Sequence, residues 1–195
     1  MPDRPTIYFI RHGETDWNRE LRYQGQRDIP LNDTGRAQAR RNGETLRQFL
    51  PVIAETEFIA SPLGRARETM EIIRAELGLP PSDYAIEPRL VELCYGAWEG
   101  TLQADIKRDT PEAFAARSRD PFRWRPDKGE SYADLFVRVS AWAGTRQRDS
   151  VIVSHGGVSR CLRAYVLGLD PAVIPELESP QDRVLILGDG AMRWL

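Results

Sequence analysis

An α/β domain, with helices covering a mostly parallel sheet, is the architecture that this 195-residue sequence predicts. Short runs of β-branched and aromatic residues alternate along the chain with apolar stripes of helical spacing. No internal repeat, low-complexity tract or linker interrupts that alternation. The length suits one well-packed domain over residues 1–195.

The first strand is expected at Thr6–Ile10, where Ile7, Tyr8, Phe9 and Ile10 are side chains that a sheet interior accepts. Further strands are expected at Glu57–Ala60, Ala85–Pro88, Ser150–Ser154 and Arg183–Leu187. In SPLGRARETMEIIRAELG, Leu63, Ala66, Met70, Ile73 and Leu77 recur at helical spacing. Ser61 is placed to cap that helix, Pro62 suits its first turn and Gly78 ends it. Tyr132, Leu135, Phe136, Val139, Trp142 and Ala143 form a broad apolar stripe, with Ser131 and Asp134 as a capping pair. A last helix, from about Gly157 to Gly168, carries Val158, Cys161, Leu162, Tyr165 and Val166 on one face. The segment Thr101–Gly129 is broken by Pro111, Pro121 and Pro126 and is rich in arginine. It reads as an irregular insertion or lid, at about 101–129, over the functional edge of the sheet.

Hydrophobic residues at 41% and charged residues at 29% give the balance of a soluble globular protein. A net charge of -2 supplies no global field for nucleic acid or an anionic membrane surface. No apolar run approaches the ~20 residues of a membrane span. The N-terminal stretch MPDRPTIYFI has too short an apolar core for a secretory signal, so a cytoplasmic protein is expected. Cys94 and Cys161 form no ligand-spaced cluster, and Cys161, on an apolar helical face, reads as a buried structural thiol.

Ligands of such sheets bind outside the carboxyl ends of the strands. Thr6–Ile10 runs into Arg11 and His12, Glu57–Ala60 into SPLGR with Arg65 in a first helical turn, and Ser150–Ser154 into His155 and two glycines. Helix N-termini present unpaired N–H groups to an anion, and the arginines add planar paired donors. The chain has only two histidines, and both stand at such tips, each followed by glycine.

Five blocks carry a resemblance: RHGETDWN (Arg11–Asn18), RYQGQRDIPLNDTGRAQA (Arg22–Ala39), SPLGRARET (Ser61–Thr69), ELCYGAWEG (Glu92–Gly100) and VSHGG (Val153–Gly157). Together, and in this order, they resemble the histidine phosphatases, which include the cofactor-dependent phosphoglycerate mutases. The acid phosphatase and phytase branch fits poorly, because Gly156 follows His155 where that branch has an acid. The resemblance implies a three-layer α/β/α fold with helices on both faces of a mostly parallel sheet.

It also implies that His12 is a nucleophile that becomes phosphohistidine, and that Arg11, Arg65 and His155 hold the transferred phosphoryl group. Free histidine has a pKa of ~6.5, and the neighbouring Arg11 favours the neutral, nucleophilic form. His155 is most useful when protonated. Glu92 matches the family's proton donor, and Leu93, Tyr95 and Trp98 are expected to give it an apolar setting of the kind that suits a general acid. Glu14 and Glu99 read as supporting or capping residues. Asn18, Gln24 and Gly25 match positions that line the phosphate pocket, and Gly156 joins them. An ordinary loop with turn chemistry is an equally good reading of Asn18, Gln24 and Gly25. Trp17 and Trp98 read as packing. The arginines from Arg117 to Arg125 read as a solvated face, with a contact to a second anionic group on the substrate left open.

No P-loop and no cluster of carboxylates for magnesium is present, so a metal-independent reaction without a cofactor is expected. A mutase of this family follows its acid with a basic residue and carries a larger insertion. Here Leu93 follows Glu92, which favours a phosphatase acting on small phosphorylated metabolites. A phosphoglycerate mutase is the alternative, and an inert phosphate-binding module a third reading that intact site residues oppose. The oligomeric state, a homodimer included, stays open.

Overall fold

The computed structural model describes residues 5–50 and 52–195. It sets β1 (Ile7–Arg11), β2 (Glu57–Ala60), β3 (Ala85–Ile86), β4 (Ser150–Ser154), β5 (Val184–Gly188) and β6 (Ala191–Trp194) into one sheet of order β3-β2-β4-β1-β5-β6. The first four run parallel, with Ile7 opposite Ser150 and Arg11 opposite Ser154, while β5 pairs antiparallel with β1 and β6 with β5. Residues 1–4, part of the stretch read against a secretory signal, lie outside the described residues.

Alternation along the strands builds the two sides. Ile7, Phe9, Ile152, Leu185 and Leu187 face one core, and Tyr8, Ile10, Val151, Val153 and Val184 the other. Helices α2 (Asp33–Phe49) and α3 (Gly64–Glu76) cover the second face through Leu46, Ala66, Met70 and Ile73. They follow a one-turn helix, α1 (Asp16–Arg19). Along the chain, α4 (Gln103–Asp109) and α5 (Pro111–Arg119) follow α3. The first face is covered by α6 (Tyr132–Ala143) and α7 (Gly156–Leu167), through Leu135, Val139, Trp142, Val158, Cys161 and Leu162. Cys161 is buried as expected. No helix of the described residues is long and apolar enough to cross a membrane.

Several boundaries differ from the sequence reading for local reasons. The third strand stops at Ile86, because Pro88 has no N–H to donate and opens a 3-10 turn over Pro88–Leu90. β6 was not anticipated, although Asp189 and Gly190, both at positive φ (48° and 71°), make the tight turn that an Asp-Gly pair signals. Ser61 does not cap α3. The helix starts at Gly64, whose N–H is satisfied by Asp28 Oδ2 at 3.0 Å from a distant loop. The Ser131–Asp134 capping box forms as expected, and Gly78, with φ 74°, stands just after Leu77, the C-cap residue of α3.

The long helix α2 carries no broad apolar stripe; it buries Gly35, Ala39, Asn42, Gly43 and Leu46 and is capped by Asn32. The segment 101–129 is more regular than expected. It holds α4 and α5, separated at Thr110, and packs Ile106 with Tyr23 and Trp98.

Candidate active site

Arg11 ends β1, His155 caps the end of β4 where α7 begins, and Arg65 lies in the first turn of α3 just beyond β2. Parallel pairing of β1, β4 and β2 brings these three tips to one edge of the sheet. A cavity of about 360 Å³ opens there, lined among others by Arg11, His12, Asn18, Arg65, Glu92 and Gly156, while His155 lies fully buried behind His12 and does not itself line it.

His12 is 2% exposed and its protonation pattern follows from its partners. Nδ1 lies 2.8 Å from the Gly13 carbonyl, which only accepts, so Nδ1 carries the proton. Nε2 then keeps a lone pair, and Arg65 Nε donates to it at 3.2 Å. Burial, then Arg65, then Arg11 hold the His12 imidazolium pKa well below its ordinary value, so the ring is neutral. The expected influence of Arg11 is therefore present but ranks behind the other two. The His155 ring lies 5.1 Å from that of His12, between centroids. Its Nε2 is 2.6 Å from Ser61 Oγ, while Nδ1 is buried with no partner. Burial and then Arg65 also keep His155 well below the usual histidine range. The protonated form expected from the sequence thus requires the negative charge of a ligand.

Arg65 is 1% exposed and fixed by two carbonyls, Arg27 O at 2.6 Å and Gly25 O at 2.7 Å. Burial lowers its pKa to about 10. The Gln24 amide oxygen accepts from Arg65 Nε at 2.7 Å when its NH₂ faces Thr15 Oγ1, the orientation that satisfies both ends. Arg11 NH1 donates to Ser179 O at 2.7 Å, and its buried Nε has no partner. The orphaned Arg11 Nε is a donor left for a ligand oxygen at the cavity.

An N–H at the N-terminus of α7 is already engaged, and its partner is the Glu92 carboxyl group. Gly157 N–H lies 3.1 and 3.2 Å from the two Glu92 carboxylate oxygens, and Leu93 N–H donates to Oε1 at 2.8 Å. Of the side chains expected to give Glu92 an apolar setting, Tyr95 lines the same cavity, whereas Leu93 turns into the core and Trp98 stacks on Tyr23 and Trp124. A Cβ on Gly157 would stand 2.5 Å from Glu92 Oε1, so the second glycine of HGG is what lets the carboxylate approach. A buried and a half-buried arginine, two histidines and one carboxyl group gathered at these strand tips form a set suited to phosphoryl transfer.

The family described as the histidine phosphatase superfamily (branch 1) matches residues 7–194. The chain belongs to that superfamily. This histidine phosphatase is 34% identical to a glucosyl-3-phosphoglycerate phosphatase of Mycolicibacterium vanbaalenii, over 84% of this chain and 74% of that protein. It is 37% identical to a probable phosphoglycerate mutase GpmB of an Enterobacter species, over 84% and 75%. Among solved structures, a mycobacterial glucosyl-3-phosphoglycerate phosphatase in complex with VO3 superposes with a TM-score of 0.80 at 31% identity, covering 98% of this chain and 96% of that one.

Other residues of the histidine phosphatase singled out from sequence divide between cavity and support. Asn18, Gln24, Gly25 and Gly156 line the cavity. Gly25 also needs its φ of 54°, and a Cβ there would run into the Glu99 carboxylate. Glu14 accepts from Asn32 at the start of α2, and Glu99 accepts from the Gln26 and Tyr95 N–H groups, so both support loops. Trp17 covers Gly100. None of the arginines from Arg117 to Arg125 lines the cavity; Arg125 pairs with Asp134 at 2.7 Å. Among the lining residues that escaped the sequence reading are Arg160 and Gln181. Arg160 lies one helical turn beyond Gly156 on the same face of α7, a spacing that could have revealed it. Gln181 sits in an irregular segment with no local signal.

Proposed function

We propose that this chain is a metal-independent phosphomonoesterase that hydrolyses small phosphorylated metabolites, in the cytoplasm, through a phosphohistidine on His12. The observation that carries the reading is the His12 tautomer: Nδ1–H is tied to Gly13 O, and the Nε2 lone pair is held beside Arg65 at the cavity. Nε2 attacks phosphorus, the P–O ester bond breaks, and the leaving oxygen takes a proton from Glu92. Arg11, Arg65 and His155 stabilise charge on the remaining oxygens. Water then attacks the phosphohistidine, losing a proton to Glu92, and inorganic phosphate and neutral His12 are released. Asn18, Gln24, Gly25 and Gly156 shape the phosphoryl pocket, and residues 101–129 form its lid, with Gln103 on the cavity wall.

The relatives named glucosyl-3-phosphoglycerate phosphatase support a substrate among phosphorylated sugars and sugar acids. The mutase reading draws on the relatives named GpmB. Against it, the position after Glu92 is Leu93, buried at 3% exposure in the core, where a mutase would place a basic side chain. A screen of phosphomonoesters, run beside a mutase assay with 2,3-bisphosphoglycerate, decides between them. Glu92→Gln should slow the hydrolysis of alkyl phosphates by ~10²–10⁴-fold, and the nitrophenol burst from p-nitrophenyl phosphate far less. Equal slowing of both would remove Glu92 from the acid's role. Rapid quenching should trap acid-labile phosphate on His12, and full turnover by His12→Ala would refute the mechanism.

A further inference from the structure

Asn18 lines the cavity, yet its amide oxygen is fully engaged elsewhere. Oδ1 accepts from Thr15 N–H at 3.2 Å, from Thr15 Oγ1 at 3.1 Å and from Gln181 Nε2 at 3.1 Å. An oxygen surrounded by three donors leaves the NH₂ end of the amide for the cavity. The same Gln181 Nε2 donates to the His12 carbonyl at 2.9 Å.

Gln181 is itself held. Asn42 of α2 donates to its carbonyl at 3.2 Å. The segment leading into it is gripped at three consecutive carbonyls by three arginines: Arg160 on Leu177, Arg163 on Glu178 and Arg11 on Ser179. A side-chain donor on so fixed a backbone sets the orientation of the groups it touches.

We propose that Gln181 is a positioning residue: it locks the Asn18 amide with its NH₂ toward the phosphoryl oxygens and pins the backbone of the nucleophile. This deepens the phosphatase reading and rests on it, since the ligand addressed is the phosphoryl group. An unlocked Asn18 can present its carbonyl oxygen instead, which repels a phosphate. Glu at position 181 would set a carboxylate against two acceptors, His12 O and Asn18 Oδ1, and the inexpensive response is rotation of the Asn18 amide.

The test is calorimetric affinity for inorganic phosphate, with thermal melts to check folding, in the unaltered protein, Gln181→Ala, Gln181→Glu, Asn18→Ala and the two double variants. Gln181→Ala should weaken phosphate binding about tenfold, the scale of one lost charge-assisted contact. Gln181→Glu should weaken it further. In the Asn18→Ala background the effect of Gln181→Ala should shrink, and the excess of Glu over Ala should vanish. Equal effects in both backgrounds overturn the inference, as does an excess of Glu over Ala that persists without Asn18, which is simple charge repulsion. Phosphate binding that ignores position 181 but responds to Asn18 overturns the inference and leaves the phosphatase reading standing. No phosphate binding by the unaltered protein overturns both.

Discussion

Burial does most of the electrostatic work at His12 and His155. Both rings are neutral because desolvation and then Arg65 penalise the imidazolium, with Arg11 a smaller influence. The adjacency of Arg11 and His12 is visible in the sequence, whereas Arg65 arrives from 53 residues away and burial from the whole fold. A consequence for stability follows. The folded pKa values lie below the ordinary value of ~6.5, so in the window between them the unfolded chain binds protons that the folded chain does not. Stability from this source is fully present above about pH 6.5 and is lost as pH falls through the window. Because these are the only two histidines in the sequence, the signal is clean. Melting temperatures measured between about pH 5 and 8 should fall on the acid side, and His12→Asn/His155→Asn should flatten that slope. An unchanged slope in the double variant would assign the effect to other groups.

At the scale of elements, the N-terminus of α7 shows a helix end used twice. Its first residue, Gly156, lines the cavity, and the N–H of its second, Gly157, holds the Glu92 carboxylate. Gly157→Ala tests this directly, since its Cβ would stand 2.5 Å from Glu92 Oε1 and 2.9 Å from a Leu135 methyl. Overpacking of this kind costs about 1–3 kcal/mol, read as a lowered melting temperature. Glu92 should move as well, so turnover of alkyl phosphates should fall more than the p-nitrophenyl phosphate burst. A variant that loses stability but keeps both rates in proportion would uncouple Gly157 from Glu92. The elements also differ in how far sequence exposes them. α6 and α7 are legible because their stripes are broad and apolar. α2 is not, because small residues let it approach α3, where Gly43 faces the Cβ of Glu76. α3 is legible in its body but not at its start, since the partner of its first N–H, Asp28, belongs to another loop.

Across the whole molecule, parallel pairing converts residues far apart in the chain into one cluster of cations and a carboxylate at the edge of the sheet. Among the described residues no group of three or more His, Cys, Asp or Glu could hold a metal ion. Phosphomonoester turnover should therefore persist at full rate in a strong chelator. Inhibition that only one divalent ion reverses would contradict a mechanism run by arginines and histidines. The strand ends, the two histidines with their glycines and the Arg11–His12 pair were readable without coordinates, because hydrophobic alternation and motif spacing are local properties of the chain. Arg11, His12, Arg65 and Glu92, which line one cavity, were singled out by the same motifs, and the parallel core of the sheet was readable too. The tautomer of His12, the amides that receive Glu92, the switch of Ser61 from cap to partner of His155 and the place of Gln181 were not. Each depends on which distant atoms come within 3 Å or so of a polar group once water is excluded, and that is settled by packing across the sheet edge.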